Sequence, residues 1–165
     1  MQATIRYLAV LIAFVALSPH GYSQTPHKTL EGITSIGIDV KDINPGDEDN
    51  TATCGATKED IRRAASFPIT SSRLRIEEAA PVYIEIRSLV VPAGPGWCAA
   101  SFRFSVITDQ IVGLDATNLE KVVRVELWAN HGIVVAEVGI LGFRLRDTVE
   151  RMVKDFVVAW TLDQQ

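Results

Sequence analysis

The chain has 165 residues, with 16 Lys and Arg against 20 Asp and Glu and a formal charge of −4. A weakly acidic chain with no clustered basic run lacks the electrostatic footprint that wraps a nucleic-acid backbone or holds an anionic membrane surface, so neither partner is expected. Nothing in it spells a nucleotide or redox motif, and no cofactor is expected.

The amino terminus follows the three-part order of a secretory signal: Arg6, an apolar run from Tyr7 to Leu17, then small and turn-forming residues. That run is about half of the roughly 20 apolar residues a helix needs to span a bilayer. Gly21 and Ser23 supply the small residues a peptidase requires, which places the new terminus at Gln24. No cysteine precedes Cys54, so no lipid-modified terminal cysteine is expected. Residues 1–23 are read as a signal peptide, 24–33 as a leader and 34–165 as one α+β domain. The expected location is the periplasm or the medium, with no stable membrane anchor after cleavage.

Two cysteines, Cys54 and Cys98, both fall in the exported part. In an oxidising compartment two thiols of one small domain usually pair, and a Cys54–Cys98 disulfide is expected.

From Ser35 to Asp42, Ile36, Ile38 and Val40 alternate with polar residues, the period of a strand with one buried face. The following stretch to Ala56 is rich in Pro, Gly and acids and reads as a loop. Its Asp42, Asn44, Asp47, Glu48 and Asp49 gather oxygen donors. A calcium loop starting at Asp42 would nevertheless put Thr53 where a bidentate Glu belongs, so no metal site is expected. Thr57 caps a short helix with Glu59 and Asp60 in its first turn, apolar at Ile61, Ala64, Ala65 and Phe67 and ending before Pro68. Leu74 and Ile76 suggest a brief strand, Val82 to Val91 a longer one, and Trp97 to Ile107 another after the Pro92–Gly96 turn. The next strand runs from Lys121 to Asn130. Asn130, His131 and Gly132 have hairpin chemistry, leading to a partner strand from Ile133 to Val138. Asp147 and Glu150 have capping-box spacing, and Val149, Met152, Val153, Phe156, Val157 and Trp160 form the apolar stripe of a last helix of about 24 Å.

Strands joined by short turns and two one-sided helices predict a two-layer α+β sandwich: a mostly antiparallel sheet of four or five strands with both helices packed on one face. The opposite face then collects Tyr83, Glu85, Arg87, Ser101, Arg103, Ser105, Arg124, Glu126 and Trp128. Arg and aromatic side chains are enriched at interfaces, so Tyr83, Arg87, Arg103, Arg124 and Trp128 are the candidate contact residues. The bland reading is a solvated face of cross-strand ion pairs. The order of elements is similar, in layout only, to that of small envelope assembly proteins, which are usually lipid-anchored whereas this chain lacks the cysteine for it. The partner expected is another envelope protein or an anionic ligand. The function expected is a noncatalytic exported binding or interaction module. The alternative is a small hydrolase in which His131 acts with a nearby carboxylate.

Overall fold

A computed structural model describes residues 29–41, 43, 53–114 and 119–165. The signal peptide, its cleavage site, most of the leader and nearly all of the acidic loop lie outside these residues.

Seven elements follow in order: β1 (Ser35–Val40), α1 (Lys58–Thr70), β2 (Arg75–Ile76), β3 (Val82–Pro92), β4 (Trp97–Leu114), β5 (Leu119–Glu137) and α2 (Leu141–Asp163). The strands form one open sheet in the order β2-β1-β3-β4-β5. β1 is parallel to both β2 and β3, whereas β3, β4 and β5 are antiparallel. The sheet is therefore mixed, because α1 carries the chain back across one face before β2 and β3 are laid down. Both helices lie on that face, as the one-sided apolar patterns require.

The core is the even-numbered side of β3 and β4. Ile84, Ile86 and Val90, with Cys98, Ala100, Phe104 and Val106, are almost fully buried against Ile61, Ala65 and Ile69 of α1 and Leu145, Val149, Val153 and Phe156 of α2. Phe104, Trp128 and Phe156 form an aromatic trio with ring centroids 5.3 to 6.2 Å apart. Cys54 and Cys98 are bonded, with Cα atoms 5.9 Å apart, so the chain just before α1 is pinned to the start of β4 as expected.

Four local expectations are corrected. First, α1 does not stop before Pro68 but runs to Thr70, with Pro68 itself buried and Phe67 exposed to solvent. Proline leaves the Ala64 carbonyl without its helical donor, a cost set against the burial of Pro68 and Ile69 on the core side of the helix. Secondly, α2 begins at Leu141, so Asp147 sits in its second turn and forms no cap. The apolar stripe continues backwards through Leu145 to Leu141, both fully buried, and this burial sets the helix start. Thirdly, there is no hairpin at Asn130–Gly132, since β5 passes straight through it with His131 opposite Arg103 and Gly132 opposite Phe102. Gly132 serves close packing: a Cβ there would lie 2.8 Å from the Phe102 ring. Fourthly, residues 29–33 of the expected leader pack on the domain. Leu30 and Ile33 are buried, the Trp160 indole N–H donates to the Ile33 carbonyl at 2.9 Å, and the Leu30 N–H donates to Asp163 at 3.1 Å.

Candidate functional site

On the open face, alternation places Tyr83, Glu85 and Arg87 of β3 beside Ser105, Arg103 and Ser101 of β4. Arg124 and Glu126 of β5 complete the charged half. Glu85 is its centre. Its side chain is only 5% exposed, and Arg87 Nε donates to it at 2.6 Å while Lys41 Nζ and Arg124 stand at 3.6 Å. The Glu85 hydrogen bond is the main reason the Arg87 guanidinium holds its proton even more tightly than usual. Lys41 is likewise raised, chiefly by its hydrogen bond to Asp39. Arg103 donates to Glu126 at 2.7 Å, and Arg124 lies over the Tyr83 ring and within 3.5 Å of Asp109. Each open-face cation here therefore already has a carboxylate partner. A balanced set of pairs keeps a sheet face solvated but leaves little net field for gripping an anion.

Trp128 is not on this face. The ladder has a register shift at Val106/Ile107, where Val106 opposes Trp128 and Ile107 opposes Glu126, so Leu127 is the extra residue. One inserted residue reverses the alternation. Glu126 consequently stays on the open side, and Trp128 turns under the sheet against Phe104 and Phe156.

Sequence alternation left the other half of the open face unread. Past Arg87, β3 presents Leu89 and Val91. They line up across the ladder with Ser101 and Ile133, and with Ala99 and Val135. Leu89 is 53% exposed, Ile133 76% and Val135 58%. With Val91 and Trp97, also exposed, they make an apolar area that continues from the charged half. Between the halves, Lys41, Arg87, Leu89, Arg103, His131 and Ile133 rim a depression of about 690 Å³. That volume would suit a small ligand, but the depression is floored by flat sheet and open to solvent, unlike a site that buries most of its ligand.

His131 lies on the rim of this depression. Its side chain makes no hydrogen bond or ion pair with a carboxylate among the described residues, and its cross-strand neighbour is Arg103. Among the described residues no carboxylate is placed beside His131 to form the pair that the hydrolase alternative calls for. Among the described residues no group of three or more His, Cys, Asp or Glu is placed to hold a metal ion. No helix among them is long and apolar enough to cross a membrane.

Glu126 gives the face a pH signature. Hydrogen bonds first from Ser105, at 2.7 Å, and then from Arg103 hold its carboxyl below the ordinary value of 4.5. A carboxylate depressed in the folded state contributes stability above its unfolded value and loses it as the pH falls through the folded one. Urea midpoints should thus drop as the pH falls below 4.5. Glu126→Gln should flatten the drop, and an unchanged pH profile would contradict the pairing.

No family model matches the chain and no curated protein matches it. Among solved structures the chain is similar to the crystal structure of rare lipoprotein B from Shewanella oneidensis, at 8% identity over 78% of this chain and 91% of that one. The TM-score is 0.26, too low for the likeness to carry an argument about this chain.

Proposed function

We propose that the protein is an exported, noncatalytic interaction module that meets a protein partner through the open face of its sheet, apolar end first. Export is supported by the amino-terminal charge, apolar run and small-residue pattern, and by a buried disulfide of the kind that persists in oxidising compartments. The observation that carries the contact surface is the exposure of Leu89, Val91, Ile133 and Val135 on neighbouring strands, where no helix covers them. Contiguous apolar surface on a soluble domain, rimmed by ion-paired Arg and Lys, is the pattern of a protein interface. The ion pairs make an anionic ligand the weaker alternative, since binding one would first require a cation to leave its carboxylate.

Affinity capture from an envelope extract tests the reading with two variants. The double variant Leu89→Ser, Val91→Ser should lose the captured partner by about tenfold or more, as expected for truncated interface anchors. Arg103→Ser should change capture little, because its charge is spent on Glu126. The opposite ranking would overturn the apolar reading in favour of an anionic ligand. Replacing Arg87 and Arg124 is the poorer test, because buried Glu85 would lose its partners and the fold would suffer.

A further inference from the structure

The two edges of the sheet are built differently. One edge is β2, only two residues long, which is one of the ways proteins blunt an edge against pairing. The other is β5, which runs without interruption from the bulge at Leu127 to Glu137 and has no Lys and no Pro after Lys121.

The direction of its outer hydrogen-bonding groups can be read from two contacts. The Val138 N–H donates inward to the Gly96 carbonyl at 2.9 Å. The His131 N–H instead finds only the Asn130 side chain, at 2.8 Å. Successive residues of a strand direct their backbone groups to alternate sides. Hence Ala129, His131, Ile133, Val135 and Glu137 carry their N–H and C=O groups on the open edge.

We infer that this edge is a homodimer interface, in which β5 of two copies pair antiparallel about a two-fold axis at Val134. That register is singled out by complementarity. It sets Ile133 opposite Val135 of the second copy and His131 opposite Glu137 of the second copy, each contact made twice. Sliding by one pairing step puts Glu137 opposite Ala129 and His131 opposite Val135 in one direction, or Glu137 opposite Ile133 in the other, and leaves a single apolar self-pair, Ile133–Ile133 or Val135–Val135, in place of two apolar pairs and two His–Glu pairs. The pairs Ile133–Val135 and His131–Glu137 are then the hydrogen-bonded positions, which the outward backbone groups require. The result is one continuous sheet of two chains with both apolar open-face areas on the same side. A closed two-fold pairing also leaves no β5 edge free for further growth. This inference goes beyond the open-face contact; Ile133 and Val135 belong to both surfaces, and the two readings are separated at Leu89 and Val91, which lie two strands away from the edge.

Sedimentation equilibrium of the purified, disulfide-bonded protein tests the dimer, with circular dichroism confirming that each variant is folded. The wild type should be dimeric at roughly tens of micromolar, and Ile133→Lys should raise the dimer dissociation constant by about tenfold or more. Ile133 is largely exposed, so the change should leave the monomer intact. Glu137→Lys should also weaken the dimer, and His131→Glu combined with it should restore pairing by reversing the charges. Val122→Lys, also exposed but before the bulge, should leave the dimer unchanged. A monomeric wild type, or a dimer indifferent to Ile133→Lys and to the charge reversal, would overturn the inference. A monomer that fails here while still losing its partner through Leu89→Ser, Val91→Ser would leave the open-face reading standing.

Discussion

Replacing Cys54 and Cys98 together by Ala is expected to lower the melting temperature by roughly 10 to 15 °C. The bridge spans 44 positions of sequence, and closing such a loop restricts the unfolded chain by about 4 kcal/mol in the chain-entropy estimate. For a domain of this size each kcal/mol moves the melting point by roughly 3 to 5 °C, and residual order in the reduced chain trims the total. Both cysteines are fully buried, so the loss of packing adds to the entropic effect. Differential scanning calorimetry of the oxidised wild type and the double variant measures it. Coincident melting curves would show that the bridge holds nothing the core does not already hold.

Gly142→Ala should destabilise the fold by about 2 to 4 kcal/mol, a large effect for one methyl group. A Cβ at Gly142 would run into the Gly55 carbonyl oxygen and lie 2.9 Å from its carbon. Both atoms are backbone, and Gly55 itself is held at φ 70°. Neither side can yield by a rotamer change, so the first turn of α2 must move off the segment next to Cys54. Gly113→Ala, with nothing near its added methyl, is the control and should stay within about 0.5 kcal/mol of wild type. Chemical denaturation gives both values. Because Gly55 follows the bridged Cys54, the two perturbations should couple: Gly142→Ala should cost less in the Cys54→Ala, Cys98→Ala background than in the wild type. Strict additivity would mean that the bridge does not hold Gly55 against α2.

Much of this architecture was readable from residue pattern. The period-2 alternation of Val82, Ile84 and Ile86, and of Cys98, Ala100, Phe102 and Phe104, identified the buried face of the two central strands, and burial follows it. The same alternation put Cys98 on the core side, next to the chain entering α1, and so brought the disulfide within reach. Two of the failures share one cause, long-range packing overriding a local signal. Asn130-His131-Gly132 has the composition of a turn, but the ladder to β4 continues through it because Gly132 makes room for Phe102. Asp147 and Glu150 have the spacing of a cap, yet the burial of Leu141 and Leu145 extends the helix past them. The bulge at Leu127 leaves no mark in composition, so Trp128 was assigned to the face it turns away from. The apolar end of the open face was missed for a related reason. As a separate hairpin arm Ile133 and Val135 have no set neighbours, and only the full length of β5 brings them alongside Leu89 and Val91.

On the proposed open-face reading, the half-apolar surface of the sheet that the helices leave uncovered is the part to probe in cells. A photoreactive side chain at position 89, compared with one at Val158 on the exposed side of α2, does so in living cells. The open-face reading predicts a discrete cross-linked adduct from position 89 in the envelope fraction and none from position 158. Adducts from position 158 alone, or none from position 89 in correctly exported, disulfide-bonded protein, would contradict it.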